Sequence, residues 1–90
     1  MQQTVSIIIS GKVQGVFYRQ STKEKATALG ITGEVKNMPD DTVHITATGS
    51  TEQINELVNW CKQGPPKARV TDVTVINLSL QLFDKFNIKR

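Results

Sequence analysis

Four apolar side chains at helical spacing, Ile54, Leu57, Val58 and Cys61, constrain this chain more than any other feature. They fall at i, i+3, i+4 and i+7, so a helix that carries them presents one apolar stripe. Ser50, with Gln53 three residues on, has the form of a capping box that opens such a helix. Gly64-Pro65-Pro66 stops it, because glycine takes a left-handed cap and proline cannot continue the hydrogen-bond ladder. A striped helix needs an apolar partner surface, and the preceding segment offers one. Val43, Ile45 and Ala47 alternate with Thr42, His44, Thr46 and Thr48, the period of a strand with one face inward and the other toward water. The sequence thus calls for a helix-on-sheet core. Its 90 residues suffice for one such core, so residues 1–90 are expected to form a single domain.

The remaining elements fit the same plan. β-Branched residues run from Thr4 to Ser10 and predict a first strand, which the Gly11–Gly15 stretch interrupts. Residues 19–29 hold good helix formers, with Thr22, Ala26 and Leu29 at helical spacing and Gly30 as C-terminal cap. Ile31–Lys36 and Thr42–Thr48 read as short strands joined by the turn residues Asn37-Met38-Pro39-Asp40-Asp41, and are expected to pair as a hairpin. Val70, Val73 and Val75 mark a further strand, and Phe86 alternating with Ile88 marks a short last one. The order β-α-β-β-α-β with one short extra strand predicts an α+β, ferredoxin-like sandwich, with two helices packed on one face of an antiparallel sheet.

Composition narrows the setting. Cys61 is the single cysteine, so no internal disulfide or thiolate metal cluster can form, and a reducing compartment is expected. Eleven Lys and Arg against eight Asp and Glu leave +3, a mild bias toward anions that does not demand nucleic acid. Ile7-Ile8-Ile9 is the longest purely apolar run, far short of the about 20 residues of a membrane span. Met1-Gln2-Gln3-Thr4 lacks the basic start of a signal peptide, so a cytoplasmic protein without membrane contact is expected. An RNA-binding sheet of the same element order would need a basic-Gly-aromatic run where this chain has Val43-His44-Ile45-Thr46-Ala47. Phe17, Tyr18, Trp60, Phe83 and Phe86 are also too scattered to stack successive bases.

Two places could carry chemistry. Gly11-Lys12-Val13-Gln14-Gly15-Val16-Phe17-Tyr18-Arg19 leaves a strand and enters a helix, the outline of an anion cradle. Glycines let successive N–H groups converge, the helix N-terminus adds partial positive charge, and Arg19 supplies a planar fork of donors. The plain alternative is a strand-to-helix turn with a solvent-facing arginine. Asn37 ends the second strand, where an amide could hold a water near the cradle or could simply bond its own turn backbone. His44 falls on the polar face and is expected to be an ordinary surface histidine, Cys61 a small core residue, and Trp60 a flank of the core. Asp40, Asp41 and Asp72 do not make a metal-ligand pattern.

The run Gly11-x-Val13-Gln14-Gly15-Val16-x-Tyr18-Arg19 resembles the signature of the acylphosphatase family. Gly33-Glu34-Val35-Lys36-Asn37 with Pro39-Asp40, the stretch from Trp60 to Val70, and Phe86-Asn87-Ile88-Lys89 are similar to further family regions, in order. The resemblance implies an enzyme, an acyl phosphate hydrolase that yields a carboxylate and inorganic phosphate without metal or cofactor. It implies that Arg19 and the loop of Gln14, Gly15, Val16, Phe17 and Tyr18 bind the phosphoryl group, and that Asn37 orients the attacking water. Arg19 and Asn37 would then be the catalytic residues, with inorganic phosphate or sulfate as competing anions and a monomer as the working unit. Two residues depart from the pattern. Glu34 replaces an aromatic, and Asp41 replaces a turn glycine, which is expected to place a Cβ where glycine fits freely. The competing reading is a non-catalytic module that keeps the cradle and binds an anion or another small ligand.

Overall fold

The computed structural model describes residues 1–89. The chain runs β1 (Gln2–Lys12), α1 (Tyr18–Leu29), β2 (Thr32–Asn37), β3 (Val43–Ser50), α2 (Thr51–Cys61), β4 (Arg69–Leu78) and β5 (Phe86–Ile88). The strands form one sheet in the order β4-β1-β3-β2-β5. β1 pairs antiparallel with β3 and with β4, and β2 pairs antiparallel with β3, as the expected sandwich requires. β5 alone pairs in parallel, beside β2, so the sheet is mixed at that edge. The direction follows from where β4 ends. Leu78 lies opposite Thr4, Thr4 opposite Thr48, and Thr48 opposite Thr32, so β4 finishes at the end of the sheet where β2 begins. Residues 79–85 cross that end and start β5 beside Gly33, heading the same way as β2.

Both helices pack on the face that carries Val5, Ile7, Ile9, Val35, Val43, Ile45 and Ala47. On α2 the predicted stripe buries Ile54, Leu57 and Cys61 and half-buries Val58. Fully burying one such aliphatic side chain stabilises the fold by about 1.5–3 kcal/mol. The capping box forms in both directions: Gln53 N–H donates to Ser50 Oγ at 3.1 Å, and Ser50 N–H donates to Gln53 Oε1 at 2.8 Å. Trp60 flanks the core, half-buried, as expected.

Three details differ from the sequence reading. Thr48, expected to face water, is buried, because the crossing segment covers it: its hydroxyl donates to the Gln81 carbonyl at 2.7 Å and lies 2.7 Å from the Thr4 hydroxyl. β1 continues through Gly11, where its register against β4 shifts so that Ser10 faces Asp72 and Gly11 faces Val70. That bulge absorbs the odd spacing of Val70 and Val73 and lets both pack against the core. β3 likewise runs past Gly49 to Ser50, where α2 takes over directly.

Candidate active site

The topology brings the two candidate regions to one end of the sheet. β1 and β2 both run antiparallel to β3 and are therefore parallel to each other, with their C-terminal ends on the same side. Val43 of β3 faces Ile9 of β1 on one flank and Asn37 of β2 on the other. The loop that leaves β1 consequently opens beside Asn37.

Two buried valines peg that loop. Val13 and Val16 are 1% and 6% exposed, while Gly15 between them takes φ 72°. No atom lies within 4 Å of a Cβ built on Gly15, so backbone conformation rather than space requires glycine there. Phe17 follows at φ 64°, also left-handed, in the N-cap position of α1. It supplies no side-chain cap, and the first turn of α1 holds no acid. The N–H groups at the head of α1 are thus left to an outside acceptor, in a place where the helix dipole favours negative charge.

Two side chains lock this geometry. Tyr18 turns into the core, where its hydroxyl donates to the Cys61 carbonyl at 2.7 Å and its ring meets Trp60 with centroids 5.5 Å apart. A Cβ on Gly64 would stand 2.7 Å from the Tyr18 ring, so glycine at φ 69° is what lets the chain close over it. Burial pushes the Tyr18 phenol well above its ordinary pKa and the Cys61 thiol up to about 12. Gln14 turns the other way, and its Nε2 donates to the Met38 and Thr42 carbonyls, both at 2.9 Å. It braces the loop against the hairpin turn that carries Asn37.

The turn needs no help from Asn37. Asp40 Oδ1 accepts from the Thr42 hydroxyl at 2.6 Å and from the Thr42 N–H at 3.2 Å, and those bonds hold its carboxyl below the ordinary carboxylate pKa. The three-residue loop Pro39-Asp40-Asp41 is closed by Met38 N–H to the Thr42 carbonyl and Asp41 N–H to the Met38 carbonyl. Asp41 does take the left-handed conformation, φ 72°, that a glycine would occupy. Asn37 Oδ1, by contrast, is buried with no hydrogen-bond partner. A buried acceptor of this kind calls for a hydrogen-bond donor from outside the protein.

Asn37 lines a cleft of about 350 Å³ together with Val13, Gly15, Phe17, Tyr18, Arg19, Gln20 and Ile88. Among the described residues no carboxylate lines it, and Arg19 is its one formal charge. Of the residues expected at the site, Gly15, Phe17, Tyr18, Arg19 and Asn37 are therefore together. Gln14 and Val16 stand behind the wall, one as a brace and the other as a peg. Val13, Gln20 and Ile88 also line it, where the sequence carried no sign of them. Ile88 arrives only through the parallel pairing of β5, which places it beside Val35. His44 sits half-buried on β3 and Cys61 is fully buried under α2, both outside the cleft.

The sequence model of the acylphosphatase family matches residues 5–88. The chain belongs to the acylphosphatase family. It is 51% identical over 83 residues to an acylphosphatase from Acaryochloris marina, a match that covers 92% of this chain and 89% of that one. The fold matches an acylphosphatase structure from Coxiella burnetii with TM-score 0.95 and 35% identity, covering 98% of this chain and 93% of the other. An acylphosphatase crystal structure from Bacillus subtilis, covered end to end by this chain, gives the same TM-score at 34% identity. Among the described residues no helix is long and apolar enough to cross a membrane.

Proposed function

We propose that this protein hydrolyses acyl phosphates to a carboxylate and inorganic phosphate, with Arg19 and Asn37 as its catalytic residues. The observation that carries the proposal is the orphaned Asn37 Oδ1 in a cleft that also holds Arg19 and the open head of α1. A lone buried acceptor beside an anion cradle suits a water that donates one hydrogen bond to it. That arrangement supports a hydrolase over a module that only binds an anion, for which an acceptor next to negative charge is of little use.

The loop N–H groups from Gly15 to Arg19 and the Arg19 guanidinium hold the phosphoryl oxygens and stabilise the charge that develops on them. Water attacks phosphorus as the bond to the acyl oxygen breaks, and the carboxylate leaves with the electron pair. With a conjugate-acid pKa of about 4 it departs at neutral pH without a general acid. An amide cannot accept the water's proton, so that proton passes to a phosphate oxygen, and Asn37 only fixes the water's position. The step needs no metal and no cofactor. Inorganic phosphate and sulfate, which share the tetrahedral anion, compete for the cradle. The lone buried thiol and the single small core suit a monomer in a reducing cytoplasm.

Steady-state hydrolysis of acetyl phosphate by the purified protein, with and without EDTA, tests this reading. Equal turnover in both conditions, with competitive inhibition by phosphate, supports it. No turnover, or turnover lost on chelation and restored by a divalent ion, overturns it.

A further inference from the structure

We propose that Phe17 selects the acyl group: its ring is an apolar wall of the cleft, against which the aromatic or bulky apolar part of the substrate rests. This deepens the hydrolase reading and rests on it. Phe17 is 77% exposed although it lines the cleft, so its ring adds little to the core. It also occupies φ 64°, a conformation that glycine or asparagine takes with less strain, and as the N-cap residue of α1 it forms no side-chain cap. The fold thus gains little from this ring and bears both the backbone strain and the apolar exposure.

Its surroundings state what would offset them. The cleft, at about 350 Å³, falls within the about 300–1,000 Å³ of small-molecule pockets, more than a phosphoryl group fills. Beside Arg19, Gln20 and Asn37, the apolar side chains left to face it are Phe17 and Ile88, since Tyr18 turns its ring into the core and Val13 is buried. Arg19 is committed to the phosphoryl end, so a charged acyl tail would find no second partner. An aromatic or branched acyl group would cover Phe17 and leave the cradle chemistry unchanged.

The test compares kcat/KM for benzoyl phosphate and acetyl phosphate in the wild type, Phe17→Asn, Phe17→Gly and Phe17→Tyr. Both asparagine and glycine suit the left-handed backbone, so at least one variant retains the loop. The readout is the benzoyl-to-acetyl ratio, in which any effect on the shared phosphoryl end cancels. The ratio should fall about tenfold in Phe17→Asn and Phe17→Gly and stay within about twofold of wild type in Phe17→Tyr, which keeps the ring. An unchanged ratio in Phe17→Asn and Phe17→Gly overturns the assignment of Phe17 while leaving the hydrolase reading intact. A wild-type protein that hydrolyses neither substrate overturns the hydrolase reading itself, and this inference with it.

Discussion

Gln14 reaches from the loop after β1 to the β2–β3 turn, its Nε2 standing 2.9 Å from the carbonyl oxygen of Met38, the residue next to Asn37. A second bond of equal length to Thr42 makes the contact bidentate across the turn. The loop proposed as the cradle and the amide proposed to hold the water are therefore one mechanical unit, although 24 residues separate Gln14 from Met38.

Gln14→Leu breaks that unit without touching the groups proposed to meet substrate. Each bond contributes about 1 kcal/mol, and both carbonyls keep their backbone partners within the turn, so the loss should be about 1–2 kcal/mol of stability. Urea unfolding measures that term. A fall in kcat of tenfold or more in the folded variant is expected, because misplacement of a positioned group costs rate steeply.

Arg19→Ala should nearly abolish turnover while the domain still folds, since Arg19 lines the cleft and is absent from the core. Arg19→Lys should be impaired by a factor of tens or more, because an ammonium cannot reproduce the two parallel hydrogen bonds of a guanidinium. Circular dichroism establishes the fold, and kcat/KM for acetyl phosphate reads the chemistry. Activity within a few-fold of wild type in folded Arg19→Ala would refute the role given to it.

Much of this could be read before the structure. The α2 stripe, the capping box, the Gly30 cap and the hairpin turn are local patterns whose physics is complete within about ten residues, and they appear where the spacing places them. The parallel placement of β5 and the burial of Thr48 were not legible, because both depend on residues 79–85 crossing the sheet end, a route that no periodicity encodes. At the site, glycine and arginine at a helix start signalled an anion cradle. Gln14 as a brace carried no such signal, since its partners are backbone carbonyls that any sequence would provide. Asn37 was ambiguous for a similar reason, and it was Asp40 that took the turn-capping role an asparagine could have filled.

Asp41→Gly should stabilise the protein by less than about 1 kcal/mol. Relief of the left-handed strain at φ 72° is partly offset by the greater freedom of glycine in the unfolded chain. The turn bonds are already intact with aspartate in place, so kcat should stay within about twofold of wild type. A large rise in kcat would mean that Asp41 displaces Asn37 from its working position.

Stability should decline in alkali. Burial raises the Cys61 thiol from 9.0 to about 12, and the Tyr18 phenol is raised as well. The unfolded chain then releases these protons at lower pH than the folded one, so the stabilisation is complete below about pH 9 and is lost as pH rises toward the folded values. The urea midpoint should hold near neutrality and fall steadily above about pH 9, and the thiol should stay unreactive toward disulfide reagents until the protein unfolds. A midpoint that is flat through about pH 11 would contradict this.

The division of labour between Arg19 and Asn37 is best tested on Asn37→Ala, by measuring kcat for acetyl phosphate together with the inhibition constant for inorganic phosphate. A contact made to the attacking water counts in the transition state and little in the bound ground state. In this variant kcat should fall by about a hundredfold or more, with phosphate inhibition within about twofold of wild type. Phosphate binding weakened tenfold or more with kcat preserved would assign Asn37 to the cradle and leave the water to some other group.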